Sequence, residues 1–490
     1  MPIRSSTSPW SRDPATINAS STAAASDASS DRLFCEITRQ DTPMRVDPDL
    51  MSRLDVAAPR YASYPTLADW NGGFEEPAWR THLNALAQTT APLALYVHLP
   101  FCASRCFYCG CNATVTTRAE VVDRYLSRLD HELAMVSESI GARPYVSEMH
   151  WGGGTPNFLD GSQRDRLITM LERRFRMDSN TERSLEADPR LVTRDQLEHL
   201  RDLGFSRISF GVQDTDPQVQ ASIGRVQPLE MVRHVVQAAR DVGFRSINLD
   251  LLYGLPHQTA TTFHETITHA IAMTPDRIAC FGYAHVPWMR AHQWRMDEAA
   301  LPDARTRFSL FAMAVQHLQA AGFQWIGMDH FARPDDVLSR AAVAGTLQRN
   351  FMGYTTRVGE NLLGLGVSAI SEIDGWYAQN TPELGNWQRE IDAGMLSLAR
   401  RHVMSDEDRS HERAIAHLMC NAELPFNLFF GSMEELLTLF APFVSDGLVQ
   451  LETDRFTVTP TGQFFLRNLC VTLDAYRAES RGGSRFSRSV

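Results

Sequence analysis

Four of the eight cysteines lie in one stretch of the chain, YVHLPFCASRCFYCGCN (96–112). Cys102, Cys106 and Cys109 have the spacing C-x3-C-x2-C, which lets a single loop place three thiolates on a [4Fe–4S] cluster. Clusters that only transfer electrons normally have four cysteine ligands, so three ligands leave one iron open to a small molecule. The spacing therefore indicates a catalytic iron–sulfur cluster.

Structural zinc is the alternative that these cysteines allow. A structural zinc site usually joins two separated pairs of Cys or His residues, and the sequence has no second pair of this kind. Crowded cysteines in a long chain also do not suit a disulfide framework, so we expect a reducing compartment. The remaining cysteines are scattered and are expected to be packing residues: Cys35, Cys280, Cys420 and Cys470.

The composition excludes several classes of enzyme and partner. All 47 basic residues are arginine, because the 490-residue sequence contains no lysine. Lysine Schiff-base enzymes and lysine-dependent phosphoryl-transfer enzymes are therefore excluded. The net charge of −11 argues against a general nucleic-acid-binding protein. The sequence contains no apolar run of about 20 residues, so it predicts no membrane span. Any bound anion must be held by arginine or by backbone N–H groups.

Strand-like and helix-like runs alternate from about residue 90 onward. The predicted strands are 93–100, 148–154, 183–189, 207–213, 246–254 and 277–287. Such alternation forms right-handed βαβ units around a parallel sheet. Polar or glycine residues follow each strand, which is where α/β barrels carry their chemistry. The predicted fold class is therefore α/β, with a partial, TIM-like parallel barrel.

Four regions are predicted along the chain. Residues 1–45 are rich in Ser, Ala and Thr without a periodic apolar face, so they are expected to be a disordered tail. Residues 46–90 are expected to pack on the barrel and the substrate, and residues 91–380 to form the catalytic barrel. Helices, a hairpin and a final helix over 381–490 indicate a winged-helix-like domain. We expect this domain to have a packing or lid role rather than to bind DNA.

The order of the motifs resembles that of a known family. A C-x3-C-x2-C loop after a first barrel strand is similar to the radical S-adenosylmethionine (SAM) superfamily. The further motifs resemble the oxygen-independent coproporphyrinogen III oxidases from about residue 55 to the C-terminus. These motifs are PRYASYPT, YVHLPFC with CGCN, HWGGGTP, LEADPR, GVQD, NLDLLYGLP, YAHVP, MDHFARPDD, RNFMGYTT, GVSAIS and the closing RFSRSV.

The resemblance implies a reaction and its cofactors. A reduced [4Fe–4S] cluster would cleave SAM to a 5′-deoxyadenosyl radical, which would take hydrogen from propionates of coproporphyrinogen III. Loss of CO2 and an electron at two propionates would give vinyl groups and protoporphyrinogen IX, in heme biosynthesis. The expected setting is a cytoplasmic monomer with a flavodoxin or ferredoxin system as electron donor. Alternatives are a related heme chaperone or heme-modifying protein, and a zinc-stabilised winged-helix regulator.

The resemblance also implies roles for individual residues. Cys102, Cys106 and Cys109 would hold the cluster. Cys111 is not expected to be a ligand, because it would occupy the corner that SAM needs. The residues expected beside the reacting atoms are Tyr96, His98 and Cys111.

One SAM site follows from the same resemblance, and members of this family can hold a second SAM nearby. The expected contacts of the first SAM are Tyr96, Gly153, Gly154, Glu186, Ala284 and Ile370. Those of a second SAM are Tyr108, Gly154, Thr155, Gln213, Arg225 and Asp250. Arg60 and Arg225 are expected to hold substrate carboxylates, because the arginine fork matches them. Met352 stands where the family usually has Gln, which removes a polar contact near the active site.

Overall fold

Apolar runs that end in polar or glycine residues form the parallel strands, as the sequence predicts. The computed structural model describes residues 48–357, 361–479 and 488, so the tail predicted over 1–45 lies outside the described residues. The strands are β1 (Leu93–Leu99), β2 (Phe101–Cys102), β3 (Thr114–Val115), β4 (Val146–Gly153), β5 (Glu182–Ala187), β6 (Phe205–Gln213), β7 (Ser246–Tyr253), β8 (Arg277–Gly282), β9 (Gln324–Gly327), β10 (His330–Ala332), β11 (Gln348–Asn350), β12 (Gly353–Thr355), β13 (Asn361–Leu365), β14 (Ile370–Ile373), β15 (Trp376–Gln379), β16 (Arg400–Val403), β17 (Glu423–Pro425), β18 (Val449–Leu451) and β19 (Arg455–Val458).

Amphipathic runs between the strands form helices. The α-helices are α1 (Pro48–Leu54), α2 (Glu76–Leu83), α3 (Ala85–Gln88), α4 (Ala119–Ile140), α5 (Gly161–Arg174), α6 (Arg194–Asp202), α7 (Pro217–Ser222), α8 (Leu229–Asp241), α9 (Ala260–Ala272), α10 (Ala304–Ala320), α11 (Val337–Val343), α12 (Leu384–Asp392), α13 (Asp406–Asn421), α14 (Met433–Ser445), α15 (Leu466–Val471) and α16 (Ala475–Glu479). No helix in the described ranges is long and apolar enough to cross a membrane.

One large sheet organises the catalytic part. Its strand order is β16-β15-β14-β13-β1-β4-β5-β6-β7-β8-β10-β9. Strands β13, β1 and β4 to β8 run parallel, and the outer strands pair antiparallel. Because β16 and β9 are edges in the described sheet, the barrel is incomplete. The predicted α/β fold with a partial parallel barrel is therefore confirmed.

The C-terminal part is helical with a small antiparallel sheet. Strands β17, β19 and β18 pair in that order between helices α13 to α15. The hairpin predicted from LVQLETDRFTVTPTG corresponds to β18 and β19. The main sheet continues past residue 380, because β16 pairs with β15 before α13 begins.

The segment around PRYASYPT packs against the C-terminal helices. Tyr61 donates a hydrogen bond through Oη to Asp474 at 2.9 Å, and the Oη atom of Tyr64 accepts one from the Ala475 N–H at 3.1 Å. Arg467 in α15 donates through Nε to the carbonyl of Pro59 at 3.0 Å. Residues distant in sequence therefore fix the position of Arg60.

Helix α4 fixes the end of β1, the strand from which the cysteine loop leaves. Tyr125 is fully buried and packs on the buried ring of Trp387 from α12, with ring centroids 4.9 Å apart. Its Oη donates to the carbonyl of His98 at 2.7 Å and accepts from the Val367 N–H at 3.2 Å. One phenol therefore ties the last residues of β1 to the turn after β13.

Replacing Tyr125 by phenylalanine should lower the free energy of unfolding by about 1–3 kcal/mol, because a buried carbonyl and N–H lose their partner. Chemical denaturation measures this change. Tyr145→Phe is the matched control, since its hydroxyl contacts Asp178 at the surface, and it should stay within about 0.5 kcal/mol of the wild type. Equal losses in the two variants would contradict this role of Tyr125.

Candidate active site

The cysteine loop begins where β1 ends. Cys102 lies in β2, which pairs with β3, and residues 103–113 between these strands carry the other three cysteines of the motif. His98 Nε2 donates to the carbonyl of Asn112 at 2.9 Å, and Asn112 Nδ2 donates to the carbonyl of Pro382 at 2.8 Å. The loop is therefore fixed at its far end as well as at the strand.

Arg225 clamps the loop from the side of β6. Its Nη1 lies 3.4 Å from Cys106 Sγ and 3.2 Å from an oxygen of Asp188, and its Nη2 donates to the carbonyl of Gly211 at 2.7 Å. Nε donates to Gln227 at 3.1 Å, and only 8% of the side chain is exposed. All three guanidinium nitrogens therefore have protein acceptors, so the fork that we expected to hold a substrate carboxylate is already engaged.

Other contacts that hold the loop in place are only weakly indicated by the sequence. Arg190 pairs with Asp188 at 2.6 Å and reaches Cys106 Sγ at 3.8 Å. His292 Nε2 donates to the carbonyl of Cys109 at 2.7 Å, and Gln293 Nε2 donates to that of Tyr108 at 3.0 Å. The LEADPR motif contains the first pair, but no spacing in the sequence indicates His292 or Gln293.

The loop faces a cavity of about 480 Å³ at the carboxyl ends of β4 to β8, a volume typical of small-molecule sites. All four cysteines of the motif line it. The other lining residues that the sequence predicts are Tyr108, Gly153, Gly154, Thr155, Glu186, Gln213, Arg225, Asp250 and Ala284. The fold therefore brings most of the predicted site residues together.

Tyr96 and His98 lie beside this cavity without lining it. Because a carbonyl can only accept, His98 Nε2 carries the proton that Asn112 receives, and His98 Nδ1 accepts from Tyr96 Oη at 3.1 Å. Burial lowers the pKa of His98, so its ring is neutral. These two side chains support the loop from beneath.

Three other residues named from the sequence do not line this cavity. Ile370 packs against the cluster of Trp70 and Tyr377. Arg60 forms an ion pair with Asp329. Met352 lines a neighbouring cavity of about 300 Å³, which shares Ser209 with the cysteine cavity.

Gly153 and Gly154 let β4 approach the cysteine loop closely. Gly153 has φ +117°, and a Cβ there would lie 2.7 Å from the ring of His98. A Cβ on Gly154 would lie 2.7 Å from the backbone of Pro100, and the Gly154 N–H donates to the carbonyl of Leu99 at 2.9 Å. The glycines therefore leave no room for a side chain between strand and loop.

Two carboxyl groups in the cavity have pKa values shifted in opposite directions. Burial would raise the pKa of Glu186, but His150 and the Gly153 N–H, 3.1 Å away, hold it below its usual range. Burial and the charge of Glu186 raise the pKa of Asp250 to about 7. Asp250 accepts from Ser209 at 2.9 Å. The cavity therefore contains one fixed negative charge and one group that titrates near neutrality.

The thiols are not equivalent. A hydrogen bond from the Cys111 thiol, with its backbone N–H, Arg105 and Arg225, lowers the pKa of Cys109 to about 6 against the effect of burial. Burial raises the pKa of Cys102 to about 11, and its Sγ lies 3.2 Å from the hydroxyl of Thr155. Cys111 thus acts as a donor to a neighbouring thiolate.

The donor set suits a polynuclear cluster. In residues 48–357 and 361–479, no three His, Cys, Asp or Glu side chains are grouped so as to hold a single metal ion. The thiols of Cys102, Cys106 and Cys109 line a common cavity instead. Thiolates are the ligands that hold iron–sulfur clusters, so these three residues fit a [4Fe–4S] cluster.

Known proteins share the sequence and the fold. A family model described as the radical SAM superfamily matches residues 96–270. The oxygen-independent coproporphyrinogen III oxidase of Salmonella typhimurium is 40% identical over 450 residues, covering 90% of this chain and 98% of that protein. That of Synechocystis sp. is 37% identical over 454 residues, covering 90% and 97%. A structure described as coproporphyrinogen III oxidase from Escherichia coli, a radical SAM enzyme, has 39% identity and a TM-score of 0.82, covering 89% of this chain and 100% of that one.

Replacing Gly154 by alanine should lower the iron and sulfide bound per chain after anaerobic reconstitution. The new Cβ would meet the backbone of Pro100 and Phe101 at 2.7–2.8 Å and displace the loop from β4, at a cost of about 1–3 kcal/mol. Gly110→Ala is the control in the same loop, because its Cβ would meet nothing within 4 Å. Equal iron contents in the two variants would show that the close approach is not required.

The titration of Asp250 should appear in the pH dependence of stability. Its pKa is raised from 3.8 to about 7, so the folded protein keeps a proton that the unfolded chain loses. This contribution to stability is present below about pH 4 and is lost as the pH rises through 7. The free energy of unfolding of the wild type should therefore fall relative to that of Asp250→Asn between these values. A difference independent of pH would refute the assignment.

Proposed function

The chain belongs to the oxygen-independent coproporphyrinogen III oxidases, and from this membership we infer that it is a radical SAM oxidoreductase of heme biosynthesis. It converts two propionate side chains of coproporphyrinogen III to vinyl groups without oxygen, which gives protoporphyrinogen IX. Each propionate loses a hydrogen atom, carbon dioxide and one electron. Its cofactors are a [4Fe–4S] cluster and SAM.

One observation carries this proposal: three thiols of one loop line the same cavity as the carboxyl ends of five parallel strands. Cys102, Cys106 and Cys109 would hold the cluster and leave one iron without a protein ligand. Cys111 supports Cys109 as a hydrogen-bond donor, which agrees with a role outside the ligand set. When bound, the cluster and SAM supply the one-electron chemistry that removes hydrogen from the substrate.

The remaining residues of the cavity would bind and orient SAM. Glu186 is a carboxylate at the end of β5, so it suits the amino group of SAM. Gly153 and Gly154 bring the backbone of β4 to the cavity wall, where it suits the methionine end. A second SAM would lie towards Tyr108, Thr155 and Gln213, all on the same wall.

Arg225 and Arg60 differ in what their guanidinium groups are free to bind. Arg225 would act by holding the thiol of Cys106 in place, because its nitrogens are engaged by protein groups. Arg60 is partly exposed and lies 5.8 Å above the ring of Phe281, a residue that lines the cysteine cavity. It is therefore the better candidate for holding a substrate carboxylate.

The setting of the enzyme is also proposed. The cluster needs an external one-electron donor, for which a flavodoxin or ferredoxin system is suitable. We propose a cytoplasmic monomer, because free thiols require a reducing compartment and the C-terminal helices pack on the segment around Arg60 within the same chain.

Anaerobic reconstitution with iron and sulfide, followed by SAM, a reductant and coproporphyrinogen III, tests this function. We expect 5′-deoxyadenosine and a divinyl porphyrinogen, identified by mass spectrometry. Stable heme binding with neither product would contradict the proposal and favour the heme chaperone. Zinc in place of iron, with salt-dependent DNA binding, would favour the regulator.

Replacing Cys106 by alanine should abolish iron binding and SAM cleavage together, because two thiols cannot hold the cluster in its open-corner form. Iron content and 5′-deoxyadenosine measure the two losses. Cys111→Ala is the control within the same loop, and it should keep its iron. Loss of iron in Cys111→Ala, or SAM cleavage by Cys106→Ala, would refute the ligand assignment.

A further inference from the structure

A second, smaller cavity adjoins the cysteine cavity. It lies where the ends of β7 and β8 meet α10, α15 and the segment around Arg60. Its volume is about 50 Å³, which is room for a group the size of a few water molecules and not for a tetrapyrrole. Gly282 lines both cavities, so a ligand with an extended arm can reach from one to the other.

Positive charge dominates the smaller cavity. Arg60, Arg307, Arg467 and Arg488 line it, and Asp329 is the single carboxylate among its described lining residues. We call this cavity the arginine pocket. Asp329 is already paired with Arg60, and the largely exposed Arg488 is paired with Asp55. The charge of Arg307 has no carboxylate partner in the described residues, and such a charge is costly where it is withdrawn from water.

The guanidinium of Arg307 has few polar partners in the protein. Its Nη2 donates to the carbonyl of Tyr283 at 3.1 Å, and it forms no ion pair with any residue in the described ranges. A carbonyl oxygen does not neutralise a guanidinium, and the buried Nε of Arg307 has no hydrogen-bond partner among the described residues. A ligand carboxylate would therefore supply the charge and the acceptor that Arg307 lacks there.

The shape and walls of the pocket suit a carboxylate. Phe308, Phe311 and Phe464 form its apolar side, and apolar walls strengthen an ionic contact by excluding water. Burial and the charge of Arg60 lower the pKa of Arg467 to about 10, so an added anion would relieve a strained positive charge. Arginine forks match carboxylates in two parallel hydrogen bonds.

We propose that the arginine pocket binds one carboxylate of the substrate that does not react, while another arm lies in the cysteine cavity. This inference rests on the proposed function, because coproporphyrinogen III has four carboxylates. Arg307 is a specificity-determining residue in this account, and Gly282 is the shared wall past which the substrate extends. Two anchored points would present the reacting propionate to the cavity in one orientation.

Binding of coproporphyrin III, the stable oxidised tetracarboxylate, tests the pocket in the reconstituted protein without turnover. Arg307→Gln should raise the dissociation constant about 10- to 100-fold, because a charge-assisted contact is lost. Arg305→Gln is the matched control: it lies on the same helix α10 and is exposed, and it should stay within about twofold of the wild type.

A second variant guards against a folding defect in the first. Gln463→Glu adds a carboxylate of nearly the same shape to the wall, where it should pair with an arginine and weaken binding by a similar factor. Unchanged dissociation constants in both variants would overturn the pocket, even with normal product formation. If the wild type binds coproporphyrin III more tightly than Arg307→Gln and Gln463→Glu but yields no divinyl product, the proposed function would be contradicted and the pocket supported.

Discussion

The close approach of β4 to the cysteine loop is the constraint on which the rest of the site depends. At Gly153 and Gly154 the strand touches the ring of His98 and the backbone of Pro100, with no space for a Cβ. This contact fixes the loop against the carboxyl ends of the parallel strands. The thiols of the loop line the same cavity as the residues that end β5 to β8.

Arginine balances the negative charge that gathers at this point. Cys106 and Asp188 lie against Arg225 and Arg190, and Arg105 and Arg225 help to keep Cys109 ionised. A guanidinium stays charged in a buried site and can serve several acceptors at once. This explains how a chain with a net charge of −11 and no lysine keeps a locally basic centre, and the arginine pocket extends the same principle to the substrate side.

The sequence could predict the parts of the structure that depend on local pattern. Apolar runs and helical periodicity located all six predicted strands of the parallel sheet to within a few residues, and the cysteine spacing located the site. Contacts between segments that are distant along the chain leave no pattern of this kind in the sequence. The contact of Arg225 with Cys106 depends on how deeply Arg225 is buried, which the sequence does not reveal. Its guanidinium was therefore expected to bind a substrate carboxylate. His292 and the wall formed by Arg307 were not anticipated for the same reason.

We propose that three cysteines hold the cluster and leave one iron open in the cavity. Mössbauer spectroscopy of protein reconstituted with 57Fe, with and without SAM, can distinguish that iron from the others. One iron site of four should change its spectrum when SAM binds, while the other three keep theirs. Four iron sites that are all unchanged by SAM would contradict it.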